Sequence, residues 1–342
     1  DLVEWMLRCA AGELPPLDSL PVAPRGASIQ VRLYAEDPAR NFQPSSGLLT
    51  AAEFPASARV ETWVEPGIEV PAFYDPMIAK IIVTAADRAA ALKKLTAALA
   101  DTRVAGIETN LEYLRQVAAD AVFAAGRQTT RYLNAFRYRP RSIEVLEPGV
   151  QTSVQDWPGR LGHWDVGVPP SGPMDALALR LANRLLGNAQ GAAALECTAA
   201  GPTLKFNCDS VIALAGASMQ ATLDGQPVEP WRSHAVKAGA VLRLGHVDGA
   251  GLRCYLAVAG GFDVPDYLGS KSTFTLGRFG GHAGRTLRVG DVLPLGPATA
   301  ARAAKAAERD SHAARSGARI RVPSRARGRA IRYAPSPSAS WE

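Results

Sequence analysis

The segment Glu147–Asp175, EPGVQTSVQDWPGRLGHWDVGVPPSGPMD, decides how the chain is divided. Its density of proline and glycine suits neither a helix interior nor a central strand, because proline lacks an amide donor and glycine weakens regular backbone. The same residues shape tight turns, since glycine admits positive φ and proline pre-sets φ. Into that surface the chain sets Gln155, Asp156, Arg160, His163, Ser171 and Asp175. From Met174 the pattern turns helical: Leu177, Leu181 and Leu185 recur on one face, Asp175 is placed to cap it and Gly187 to end it. A long polar loop feeding a helix is a common place for a site. The plainer alternative is a structural crossover in a β-rich domain.

Downstream, short strand-like runs dominate: TLKF, SVIALAG, SMQATLDG, AVLRLGHV and LRCYLAVAGG. Asp224-Gly225-Gln226-Pro227 is a hairpin turn signal between two of them. The spacing predicts an all-β barrel or sandwich with one or two helices. A second candidate site lies in Ser272–Asp291, where Gly277, Gly280, Gly281 and Gly284 alternate with Arg278, His282 and Arg285. Inward-facing amides beside guanidinium groups make an anion cradle; the alternative is a glycine-bent corner of the sheet. Glu196, in ALECT, is either a buried acid near the site or an inward-pointing strand residue.

Upstream, DLVEWMLRCAAG reads as a short amphipathic helix ended by Gly12. SIQVRLYAE alternates as a strand with one wet face, and VETWV and IEV flank Glu65-Pro66-Gly67 as a hairpin. MIAKIIV suits a buried strand, Asp87 caps a helix carrying Leu92, Leu95 and Leu99, and Thr109 caps NLEYLRQV. Helices lying on a sheet, an α+β layer, are expected here. Arg137-Tyr138-Arg139-Pro140-Arg141 is the natural boundary. The division is 1–137, a linker at 138–142, a mainly β domain at 143–297 and a basic tail at 298–342.

At 342 residues the chain has room for two cores. The net charge of +6 belongs to the tail: from Ala301 onward ten Lys/Arg face three Asp/Glu, +7, leaving 6 − 7 = −1 for the rest. The folded part thus gives no electrostatic reason to expect nucleic acid, and the tail is expected to be disordered or marginally helical. No apolar run long enough to span a membrane exists, and the start lacks the charged region of a signal peptide. Cys9, Cys197, Cys208 and Cys254 are too scattered for a metal site and read as reduced, buried thiols of a cytoplasmic protein. His163 and His282 lack a third spaced ligand, so no metal is expected.

The string VQD-x-P-G-R-x-G, then GVPPSGPMD and ALRLANRLLGN, resembles the first half of the carboxyltransferase domain of biotin-dependent urea carboxylases. The same module occurs as the C component of bacterial 5-oxoprolinases, the allophanate-hydrolase-subunit-2 family. VRLYAEDPARNFQPSSG, RVETWVEPGIEVPAFYDPMIAKIIV, DRAAALKKLTAAL and TRVAGIETNLEYL resemble the C-terminal subdomain of biotin carboxylase. These resemblances imply a biotin carboxylase subdomain followed by a cyclophilin-like barrel.

They also imply a role for Arg59, in Arg59-Val60-Glu61-Thr62, as the arginine that holds the ureido oxygen of biotin and stabilises its enolate. The alternative is an exposed strand arginine paired with Glu61 or Asp75. Tyr74 and Asp75 read as structural. For carboxyl transfer the implied catalytic set is Arg59, Asp156, Arg160 and Asp175; Gln155, His163, Ser171, Arg278 and His282 would bind substrate. A Ser171–His163–Asp156 triad needs a geometry that sequence does not show.

The resemblance implies biotin carried on a separate domain or chain, with ATP and Mg2+ used by the complete enzyme but not bound by residues of this chain. An ATP-grasp region, a biotin carrier and an allophanate-hydrolase-subunit-1-like half are its expected partners, in a homo- or hetero-oligomer, with no membrane. The expected activity is carboxylation of urea or a related amide to allophanate, with weak or no activity alone. Alternatives are a protein like the C component of 5-oxoprolinase and a non-catalytic pseudoenzyme or assembly subunit. The loss of patterning near residue 297 raises a truncated or frame-altered gene as a further expectation.

Overall fold

The computed structural model describes residues 2–20 and 25–297; the basic tail read at 298–342 lies outside them. Two cores form, as the two kinds of hydrophobic pattern require.

The first is α+β. Helix α1 (Leu2–Ala10) ends near Gly12, at φ 72°, and buries none of its own residues. Strands β1 (Ala27–Tyr34), β2 (Arg59–Thr62) and β3 (Met77–Ala85) form an antiparallel sheet in the order β1-β3-β2. Ile29 and Leu33 of β1 face inward with Ile81 and Val83 of β3, and α2 (Arg88–Asp101) lays Ala91, Leu95, Ala98 and Leu99 over them. Each large aliphatic group buried here contributes about 1.5–3 kcal/mol. Asp87 caps α2, its carboxylate accepting from the Ala90 amide at 2.8 Å.

Two local expectations fail. The turn at Glu65-Pro66-Gly67 forms, with the Ile68 amide donating to Glu65 O at 3.2 Å. Its limbs diverge, however: β2 pairs with β3, while Glu69–Val70 pairs with Gly47–Leu48. Alternation announced strands but did not say which neighbour would bury Val60 and Val70. At α3 (Leu111–Ala119) the N-cap is Asn110, not Thr109. Asn110 clasps the open edge of β1 instead of capping: its Oδ1 accepts from Tyr34 N at 2.9 Å and its Nδ2 donates to Arg32 O at 3.2 Å.

The second core is mainly β. The labels run β4 (Ser142–Glu147), β5 (Gln151–Gln155), α4 (Ala176–Leu185), β6 (Ala194–Thr198), β7 (Thr203–Phe206) and β8 (Ser210–Gly216). They continue with β9 (Met219–Leu223), β10 (Gln226–Pro227), β11 (Ser233–Val236), β12 (Val241–Val247), β13 (Arg253–Val258) and β14 (Val292–Pro294). One sheet has the order β10-β9-β12-β7-β4-β14 and the other β5-β6-β13-β8-β11. They share a core of Ile143, Leu204, Phe206 and Leu242 against Val154, Leu195, Ile212 and Leu256. The Asp224-Gly225 hairpin forms as expected, with φ of 49° and 81° at the two turn residues.

Helix α4 lies on the opposite face of the five-stranded sheet. Asp175 caps it at 3.0 Å from Ala178 N, and Gly187 follows its end at φ 69°. The leucine stripe read from sequence is not its buried face. Ala178, Leu179, Ala182 and Leu186 face a sheet surface of Ala194, Ala213, Ala215 and Ala257, while Leu177 is half in water. Small residues on both sides let helix and sheet approach closely, and that steric fit outranks the larger leucines.

The expected burial is found for Cys197 and Cys254, which face each other across β6 and β13, but not for exposed Cys9 or half-buried Cys208. Burial pushes the Cys254 thiol up to about 12. The two domains meet through Arg40–Glu144 at 2.5 Å and Arg103–Asp263 at 3.7 Å.

Candidate functional site

The outer face of the three-stranded sheet gathers charge by register. Arg32 of β1, Lys80 of β3 and Glu61 of β2 form one cross-strand row, with Arg59 one step along the same face beside Ile82. Glu61 accepts from Arg59 and, at 2.6 Å, from Lys80. Lys80 and then Arg59 hold its carboxyl below the ordinary range. Three cations around one carboxylate leave a net positive strip, suited to an anion or a developing oxyanion. Neither Arg32 nor Lys80 is among the residues expected at a site, although the wet half of the SIQVRLYAE alternation places Arg32 on this face and Lys80 reads as a strand lysine. Asp75 accepts from the Met77 amide at 2.8 Å, a structural role. Tyr74 is 80% exposed beside Phe73 at 90%, so it is not structural.

The Glu147–Asp175 loop folds onto residues 267–273, and this contact gathers several of the expected site residues. Arg160 is 1% exposed. It donates to Tyr267 O at 2.9 Å, Ser171 Oγ at 3.0 Å, Ser270 O at 3.2 Å and Ser272 O at 3.0 Å, and its guanidinium lies 4.9 Å from the Phe279 ring centre. Burial lowers its pKa, with Asp156 opposing. Asp156 accepts from Ser270 Oγ and Ser272 Oγ at 2.6 Å and from Lys271 N at 2.9 Å. Both side chains are therefore committed to the fold. Four of the five N–H donors of Arg160 and both carboxylate oxygens of Asp156 are bonded within the fold, so both side chains hold the loop in place.

The triad does not form. Ser171 Oγ accepts from Arg160, His163 Nε2 faces Leu268 O at 3.1 Å, and Asp156 is held by the serines. In the glycine loop, two of the four amides expected to face a ligand are spent within the backbone. The Gly281 and Gly284 amides donate to Lys271 O and Gly280 O. Arg285 grips Asp291 at 2.8 and 2.9 Å and His282 approaches the same carboxylate at 3.6 Å. Arg278 stands exposed at φ 55° on the outer turn, apart from His282 at the domain junction.

What remains is a polar cluster at the N-terminus of α4. Ser153 of β5, Glu196 of β6 and Tyr255 of β13 lie in one cross-strand row. Glu196 accepts from Tyr255 Oη at 2.5 Å and from Met174 N at 2.8 Å, and Tyr255 Oη accepts from Asp175 N at 2.7 Å. Burial, then Glu196, raises Tyr255 far above the usual phenol range. Gln155 donates to Ser153 Oγ at 3.0 Å, while its Oε1 is buried without a hydrogen-bond partner. Of the sequence candidates, Gln155 and Asp175 thus belong here. Tyr255 was missed, and Glu196 was left open; a polar residue inside each buried run was the available signal. Among the described residues no group of three or more His, Cys, Asp or Glu side chains is arranged to hold a metal, and no helix is long and apolar enough to cross a membrane.

Fold and charge together define a biotin carboxylase piece joined to a carboxyltransferase piece. Residues 30–135 match the biotin carboxylase C-terminal domain, and residues 166–341 match the carboxyltransferase domain, subdomain A and B. The chain belongs to this carboxyltransferase family. It is 50% identical over 295 residues to the urea amidolyase of Saccharomyces cerevisiae, an alignment covering 86% of this chain and 16% of that protein. The crystal structure of the Kluyveromyces lactis urea carboxylase superposes with a TM-score of 0.80 at 50% identity, over 86% of this chain and 26% of that one. The C component of the Escherichia coli 5-oxoprolinase is 44% identical over 155 residues, 45% of this chain and 49% of that protein. The chain corresponds to a segment of the urea carboxylases and spans under a third of the two yeast proteins' lengths.

Proposed function

We propose that the chain contributes to a biotin-dependent urea carboxylase, a ligase of nitrogen metabolism converting ATP, bicarbonate and urea to allophanate through carboxybiotin. The observation that carries this is continuous similarity across both domains in one order, at 50% identity over 86% of the chain. The likeness to the 5-oxoprolinase component reaches 45% of the chain, and so accounts for less than half of it.

In this reading biotin arrives on a carrier domain or separate chain and is held at the positive strip. Arg59 offers an always-charged fork to the ureido oxygen, and Arg32 and Lys80 add to the field. ATP and Mg2+ belong to an ATP-grasp partner. At the transferase end, Gln155 Oε1 and the Glu196–Tyr255–Asp175 network orient an amide acceptor beneath the loop, with an allophanate-hydrolase-subunit-1-like half completing the site. His163 and Ser171, in the loop, then shape the surroundings of the site, while Arg278 on its outer turn and His282 at the domain junction lie apart from it. A cytoplasmic setting suits the four free thiols.

The test combines the purified chain with the ATP-grasp region, carrier and second transferase half, and follows urea-dependent ADP release. Release lost in Arg59→Ala, but with the chain still folded, supports the reading. Absence of release with all partners bound refutes it and favours a non-catalytic assembly role.

A further inference from the structure

We propose that the cavity between the two domains is a binding site for a small organic monocation, held by the carboxylate of Glu108. The cavity, of about 350 Å³, is walled by residues 37–39, 102–109 and 140–142 with Tyr138 on one side and by 263–265, 281–283 and 294–295 on the other. That is the lower end of the range for small-molecule pockets. It is separate from the sheet face carrying Arg59 and from the cluster around Glu196.

Every basic group near Glu108 is already engaged. Arg40 bonds Glu144 at 2.5 Å and lies 3.7 Å from Asp37. Arg103 pairs with Asp263, Arg115 donates to the Leu99 and Thr102 carbonyls at 3.0 Å and faces Glu112 at 3.4 Å, and Arg141 donates to Gly296 O at 2.9 Å. His282 and Arg285 both address Asp291. The Glu108 carboxyl, by contrast, makes no hydrogen bond or ion pair among the described residues; only its backbone amide is used, on Ser45 Oγ at 3.0 Å.

Among the lining residues four acids, Asp37, Glu108, Glu112 and Asp263, stand against three arginines, Arg103, Arg115 and Arg141. Burial pushes Glu108 up to about 8, Asp37 and Asp291 push the same way, and Arg40 alone opposes them. Tyr138, in the linker wall, is raised chiefly by burial and further by Glu112, Glu108 and Asp37. An unpaired acid in such a place gains most from a guest that brings a positive charge and N–H donors. A divalent metal is a poor fit, since it needs several oxygen ligands and Asp37 is committed to Ala39 N at 2.8 Å and to Arg40. A guanidinium or alkylammonium ion needs only the one carboxylate. Seated between walls from both domains, it would also hold the junction together by mass action.

Methylguanidinium is the probe, titrated calorimetrically into the full chain at constant ionic strength. It stays charged throughout, so the pH dependence reports Glu108. Binding should be about tenfold tighter near pH 9 than near pH 7, because the ionised fraction of an acid with a midpoint near 8 rises from roughly a tenth to nine tenths. Glu108→Gln, with circular dichroism confirming the fold, should abolish binding; Glu229→Gln, an acid outside the cavity that pairs with Arg232, should keep both affinity and pH ratio. Absence of binding in the parent chain, equal affinity at the two pH values, or unchanged binding in Glu108→Gln would overturn the site. Should Glu108→Gln not fold, the pH ratio of the parent chain decides alone.

Discussion

Arg59 leaves most of its side chain in water with Glu61 as its ion-pair partner, whereas Arg160 is 1% exposed and donates to four oxygens. Both lie beside turns in stretches that resemble one enzyme family, and sequence treats them alike. The difference lies in what each guanidinium still has to give. A buried arginine that has spent its donors on carbonyls holds a loop in place. An exposed one on a positive strip keeps its charge available for a ligand. Substitutions therefore separate the two by stability first and function second.

The largest effect is expected at the knot under the loop. Arg160→Ala strips hydrogen bonds from three carbonyls and Ser171 Oγ, a loss of about 3–5 kcal/mol at about 1–3 for each buried group left unsatisfied. Urea denaturation should show the midpoint falling with the slope unchanged. A loss below about 0.5 kcal/mol would show that the loop does not depend on the knot.

Next is Asn110→Ala, which leaves the Tyr34 amide and Arg32 carbonyl at the edge of β1 unpaired. It should cost about 2–3 kcal/mol in the same measurement, about 1–3 for each buried group left unsatisfied. Hydrogen exchange at the Tyr34 amide should quicken, localising the damage to the first domain and sparing the knot.

How far these sites were legible follows from the same residues. Periodicity within a run marked Ile29–Leu33, the Asp87 cap and the Asp224-Gly225 hairpin, because each is decided by neighbours a few residues away. The partners of β2 and of Glu69–Val70 were not legible, since strand pairing is settled by the whole sheet. Residue type and the VQD-x-P-G-R-x-G resemblance mark Asp156 and Arg160 as candidates. Whether they were free depended on Ser270 and Ser272, more than a hundred positions away. Tyr255 stayed hidden because its hydroxyl meets Glu196 only through register.

The domain junction carries two acids displaced in opposite directions, which gives a pH test. Asp291 is pushed up by burial, but Arg285, His282 and the Arg288 amide outweigh this and hold it well below its ordinary 3.8. Its contribution is present above 3.8 and fades as pH falls through the lower folded value. Glu108 is the reverse case: raised from 4.5 to about 8, it contributes fully below 4.5 and loses that contribution as pH rises through 8. Glu108→Gln should thus flatten the alkaline fall, gaining on the order of 2 kcal/mol relative to the parent above the midpoint. Thermal melts across the pH range check this, and parallel curves for the two proteins would refute it.

The smallest stability change is expected at Arg59, and its smallness is what gives the comparison its force. Arg59→Ala removes one solvent-screened ion pair that adds little to stability, and Glu61 keeps Lys80 at 2.6 Å as its partner. The melting midpoint should barely move. If Arg59 serves a ligand, the reconstituted assay should nevertheless fall by about a hundredfold or more, as for loss of one oxyanion donor. Arg32→Ala, from the neighbouring row of the same face, is the companion measurement. A loss confined to Arg32→Ala would move the ligand-facing role two strands across the sheet, from β2 to β1; losses in both would make the strip, rather than one side chain, the functional unit. A large stability loss in Arg59→Ala with no separable effect on turnover would place it with Arg160, as an arginine spent on the fold.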